Sequence, residues 1–152
     1  MILGVSSTRD AVFVAQARGS GGTFAIRSIT SIQFQARSGD DLAALQRRLL
    51  SVFERAGKRH RSTIALFGSS SGRFKSSVEA IKAEAITELA AAESGLPVVR
   101  VAAASLKKAL ACATGEKWRA RAEKRFNPAG RQRNWSQGAA GAAAAALKVA
   151  ER

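Results

Sequence analysis

Residues 1–15 read MILGVSSTRDAVFVA, and the fold turns on how they are read. An apolar run from Met1 to Val5 meets Ser6, Ser7, Thr8, Arg9 and Asp10, and apolar residues resume at Ala11. A run without polar alternation predicts a strand buried on both faces, the polar cluster a tight turn, and the resumption a second strand. Turns at the ends of buried strands often carry chemistry, because a rigid element holds a side chain at an exposed tip.

Working outward, AVFVAQA (11–17) continues the second strand, and ARGSGG (17–22) is a turn rich in Gly and Ser. TFAIRSITSIQFQA (23–36) places Phe24, Ile26, Ile29, Ile32 and Phe34 along a third strand, bent near Ser28 to Thr30. Three strands joined by short turns predict an antiparallel meander. The period changes after Arg37. From Asp40 or Asp41 to Gly57, Leu42, Leu45, Leu49, Val52 and Phe53 fall on one helical stripe. STIALFG (62–68) is a short buried strand, and GSSSG (68–72) is a loop. A helix from about Phe74 to Ser94 follows, with Val78, Ile81, Ala85, Leu89 and Ala92 expected on its inner side. GLPVVRVA gives a fifth strand near 97–102, AASLKKALACATG a helix ending at Gly115, and EKWRARAEKRF a shorter one. NPAGRQRN is a basic loop, and WSQGAAGAAAAALKVAER a final helix. The later strands should join parallel to the first through right-handed crossovers. The expected fold is one α/β domain over residues 1–152, with a five-stranded mixed sheet flanked by helices.

Composition narrows the partners. The chain has 152 residues, 46% of them hydrophobic, enough for a packed core. Its net charge of +14 and pI of about 11.5 predict a polyanionic partner, nucleic acid first and an anionic membrane surface second. The one cysteine, Cys112, excludes an internal disulfide and suits a reducing compartment. In its small-residue helical context it reads as a buried hydrophobe. The one histidine, His60, lies in GKRHRS with no second His or Cys nearby, so it reads as solvated or as a donor to phosphate. No run approaches the roughly 18 apolar residues of a membrane span, and no signal sequence is visible. The expectation is a soluble, cytoplasmic protein that needs no cofactor.

GSSSGRFK follows a strand and precedes a helix, as a phosphate loop does. Its glycines, Gly68 and Gly72, are four apart and Arg73 follows them, so the nucleotide-binding signature fails. Arg73 and Lys75 are instead candidate contacts to a nucleic-acid phosphate. The acidic residues lie mostly beside Lys or Arg on helical faces, and none falls within an apolar strand. They predict no metal-binding carboxylate cluster. The strongest feature is the basic segment: Lys107, Lys108, Lys117, Arg119, Arg121, Lys124, Arg125, Arg131 and Arg133 stand against Glu116 and Glu123 alone, with Trp118, Phe126 and Trp135 interspersed. Cations with aromatics suit phosphate neutralisation and base stacking. At least one of Trp118 and Phe126 is expected to pack inward.

Element order and local wording resemble the RuvC-type Holliday-junction resolvases of the ribonuclease H superfamily, over nearly the whole chain. MILGVSSTRDAVFVA looks like that family's first hairpin, which carries a metal-binding Asp. STIALFG resembles the strand that ends in a catalytic Glu. GLPVVRVAAASLKKALACATGEK looks like its strand–helix–basic segment, and QGAAGAAAAALKVA resembles the last helix, which carries two Asp. The resemblance implies a ribonuclease H-like fold, a homodimer, and DNA ahead of RNA as partner. It places the family's four acids at Ser6, Phe67, Gly138 and Gly141, none of which is acidic. Those acids hold two Mg²⁺ ions in the family, so their loss implies no metal site and no catalytic residue. Asp10 is close to Ser6 in sequence, but the turn should aim it elsewhere. The expected function is therefore a non-catalytic, RuvC-like nucleic-acid-binding protein, suited to branched DNA such as Holliday junctions. A protein-interaction subunit reusing the fold is the alternative, ahead of an active nuclease with relocated metal ligands.

Overall fold

The computed structural model describes residues 1–57, 61–68, 77–130, 135 and 138–152. Strands β1 (Ile2–Ser7), β2 (Ala11–Arg18) and β3 (Ala25–Gln33) form the antiparallel meander. Helix α1 (Gly39–Gly57), strand β4 (Thr63–Phe67), helix α2 (Val78–Glu93) and strand β5 (Val98–Val101) follow. Helices α3 (Ala103–Ala109), α4 (Trp118–Phe126) and α5 (Ala139–Ala150) complete the chain. The sheet order is β3-β2-β1-β4-β5, with β4 parallel to β1 and β5 parallel to β4. This is the mixed sheet the change of period predicted.

The sheet separates two cores. Leu3, Val5, Val12, Val14, Ile32, Ile64 and Leu66 face α1 and α2, meeting Leu45, Leu49 and Phe53 of α1. On the other face, Ala65 and Val101 meet α5 and, through it, Leu106 of α3 and Trp118 and Ala122 of α4. Helix α5 lies directly on the sheet: a Cβ on Gly4 would overlap the Ala142 carbonyl, so only glycine lets strand and helix come this close. Ala139 to Leu147 of α5 are all buried.

Four details differ from the sequence-based expectation. The bend in β3 is a bulge opposite Gln16 and Ala17, where the register passes from Ser28 to Ile26 and skips Arg27. Helix α3 stops at Ala109 instead of reaching Gly115. Ala111 adopts a left-handed φ of 53°, and the Ala111 and Cys112 amides fold back onto the Lys108 and Lys107 carbonyls at 3.1 and 3.0 Å. Helix α5 begins at Ala139, with Trp135 buried ahead of it.

The fourth difference is the largest. Helix α2 turns the opposite face inward. Its buried residues are Ala80, Ala83, Glu84, Thr87, Ala90 and Ala91, while Val78, Ile81, Ala85, Leu89 and Ala92 are exposed. The small residues let α2 pack closely beside α1, and Thr87 Oγ1 donates to the Ala83 carbonyl at 2.8 Å. Ser77 caps the helix, its hydroxyl accepting from the Ala80 amide at 3.1 Å.

Candidate nucleic-acid interface

The tips of β1 and β4 lie side by side, because the parallel register pairs Ser6 with Phe67. The antiparallel register places Phe13 of β2 on the other side of Ser6. The N-terminus of α5 closes over these tips. A Cβ on Gly141 would stand 2.7 Å from Ser6 Oγ, 3.1 Å from Ser6 Cβ and 3.2 Å from Phe67 Cδ1. A Cβ on Gly138 would overlap the Phe13 ring. Ser6, Phe67, Gly138 and Gly141, where the resemblance puts the family's acids, therefore lie together at the strand tips, as a packed contact.

Phe67 is held from behind by Trp118 of α4, with ring centroids 5.3 Å apart. Ser6 is 4% exposed. A hydroxyl, an aromatic ring and two glycines do not fit a divalent metal, which needs several anionic oxygens. Among the described residues no group of three His, Cys, Asp or Glu is placed to hold one. Asp10 is exposed and tied within its own turn, where Thr8 Oγ1 donates to Asp10 Oδ1 at 3.3 Å.

Beside this packed centre lie α3 and α4, both packed on α5. Lys107, Lys108, Lys117, Arg119, Lys124 and Arg125 are exposed. Arg119 stacks over Trp118 at 4.5 Å, and Arg125 lies over Phe126 at 5.4 Å. Each ring thus lies beneath a cation. Arg121 differs. Its Nε donates to the Leu110 carbonyl at 3.3 Å and lies 3.8 Å from Glu116, so it ties α4 to the end of α3. Arg73, Lys75, Arg131 and Arg133, together with His60, lie outside the described residues.

The aromatics pack inward as expected. Trp118 is buried, and Phe126 is half-buried between Phe24 and Trp135 at 5.8 and 6.2 Å. Cys112 is free and half-buried. Phe24, from the β2–β3 turn, was not foreseen as a partner of α4. Neither was Arg100 on β5, whose Nε donates to Glu88 at 2.8 Å with Glu84 at 3.9 Å. The Glu88 hydrogen bond raises the Arg100 pKa above its ordinary value, burial opposes the rise, and the charges of Glu88 and Glu84 add to it. No neighbouring spacing in the sequence signals this long-range set.

The five-stranded mixed sheet with helices on both faces defines a ribonuclease H-like fold of the RuvC kind. Two solved structures show the likeness. RuvC of Thermus thermophilus in complex with its Holliday junction substrate superposes with a TM-score of 0.70 at 18% identity, covering 97% of this chain and 90% of that one. A second Thermus thermophilus RuvC structure gives 0.69 and 18%, covering 97% and 91%. At this identity the likeness is one of fold. No family model and no curated protein matches the chain.

Proposed function

We propose that this chain is a non-catalytic, RuvC-like binder of nucleic acid in the cytoplasm, with DNA ahead of RNA and branched DNA such as a Holliday junction as preferred form. One observation carries the reading: α5 packs Gly138 and Gly141 onto Phe13, Ser6 and Phe67, where the resemblance puts the resolvases' acids, while exposed cations line the adjoining α3 and α4. A surface that keeps its phosphate donors and fills its metal site can bind without hydrolysing. The Holliday junction held by the similarly folded Thermus RuvC supports the choice of substrate.

The exposed stripe on α2 supports a homodimer. Val78, Ile81 and Leu89 are 64%, 53% and 46% exposed, and they are the large exposed apolar residues of the described chain. In an antiparallel, two-fold pairing centred on Ala85, Val78 faces Ala92 and Ile81 faces Leu89 of the second copy, so the stripe complements itself. The same stripe favours the second reading, a subunit that docks another protein there.

Competition binding tests the proposal. At matched low salt, a labelled four-way junction should be displaced better by unlabelled junction than by duplex or single strand, and affinity should fall steeply as salt rises. Absence of salt-sensitive binding to any of the three would move the docking-subunit reading ahead.

A further inference from the structure

The second half of α1 carries a cationic flank that the proposed function does not use. Leu45, Leu49, Phe53 and Ala56 are buried beneath the helix, so helical geometry turns Arg47, Arg48 and Arg55 outward, and all three are exposed. Arg48 Nη1 donates to the Gln33 carbonyl at 2.6 Å, and Arg55 Nη2 donates to Ser51 Oγ at 2.9 Å. Both acceptors are neutral. Among the described residues, none of the three arginines forms an ion pair, and Glu54 is the one carboxylate on this half of the helix.

The Gln33 contact holds Arg48 against β3, one of the two edge strands of the sheet. Thr30 and Ser28 pair with Val14 and Gln16, so they lie on the α1 side, and both are exposed. Arg48, held at this edge beside exposed hydroxyls, and Arg47 and Arg55, exposed on the same helix, form a donor array suited to phosphate oxygens. An acidic protein is the competing class of partner. Protein interfaces centre on apolar or aromatic anchors, whereas the large exposed apolar residues are all on α2. The flank therefore favours nucleic acid.

We propose that Arg47, Arg48 and Arg55 form a second backbone-contacting surface, in the layer opposite α3 and α4, so that each protomer grips phosphates from both sides of its sheet. This rests on the nucleic-acid reading above, and the test separates the two. Duplex DNA is titrated at several salt concentrations with the parent, R119A/K124A/R125A, R47A/R48A/R55A and the six-site combination, each checked by circular dichroism melting. The R119A/K124A/R125A variant should keep residual, salt-sensitive binding. Adding R47A/R48A/R55A to it should lower affinity at least tenfold and flatten the log–log salt slope by about 2 to 3 units, since each lost phosphate contact on duplex DNA removes about 0.9.

If the six-site variant matches R119A/K124A/R125A in affinity and slope, the second surface is overturned. If R119A/K124A/R125A instead binds like the parent, the α3–α4 reading fails. R47A/R48A/R55A in the parent then decides: loss of binding sustains the α1 surface, and unchanged binding overturns it. Loss of binding to poly-glutamate with duplex binding intact would also overturn it, in favour of an acidic protein.

Discussion

Helices α2 and α5 are both rich in alanine, yet they do opposite things with it. In α5, alanine and glycine are buried all round, pressed between the sheet and the α3–α4 layer, and the close approach leaves no volume for side chains at the strand tips. In α2, four alanines (Ala80, Ala83, Ala90 and Ala91) are buried on one face, while Ala85 and Ala92 and the bulkier Val78, Ile81 and Leu89 are left in solvent. Small residues draw two elements together wherever they lie. What distinguishes the helices is the second face: α5 has covered it within the chain, and among the described residues nothing covers that of α2.

The comparison breaks most visibly at the α5 contact. Gly138→Asp and Gly141→Asp should each destabilise the fold by about 3 kcal/mol or more, through overpacking plus the burial of a carboxylate without a partner. Urea unfolding measures this, and near-parental stability would mean that α5 stands off the sheet and the tips have room for acids. In α2 the expected effect is smaller and of another kind. Ile81→Asp with Leu89→Asp should leave the melting temperature of the isolated chain nearly unchanged, since surface substitutions usually stay within about 0.5 kcal/mol. Sedimentation should shift from dimer to monomer. A variant that unfolds would show that the stripe is covered within its own chain, and a parent that sediments as a monomer would remove the dimer.

Much of this contrast could be read in the sequence, and the part that could not has a physical reason. The unbroken apolar run Ile2–Val5 and the alternation around Ile26–Ile32 announced strands, and the shift of period after Arg37 placed the parallel connections correctly. The inner face of α2 was misread because both of its faces are apolar. Periodicity favoured the larger residues, whereas packing against α1 favoured Ala80, Ala83, Ala90 and Ala91, which permit close approach. Glu84 and Arg100 are paired only because α2 and β5 are neighbours in space. At the site, the convergence of Ser6, Phe67 and Gly141 followed from strand order and the family likeness, while Trp118 behind Phe67 depends on the docking of α4. The outward arginines of α1 were visible as letters, and Ser51 stands at helical spacing from Arg55, but the Gln33 carbonyl that holds Arg48 appears only once the helix is seated.

The proposed binding of branched DNA without cleavage can be tested directly on a junction. A four-way junction is saturated with purified protein at low salt, Mg²⁺ or Mn²⁺ is added, and the strands are resolved on a denaturing gel after long incubation. The account predicts a fully bound junction with every strand intact, because Ser6, Phe67, Gly138 and Gly141 supply no carboxylate for a metal. Metal-dependent cleavage by the parent that disappears in Asp10→Asn would contradict it, and would place catalysis on an acid at the β1–β2 turn.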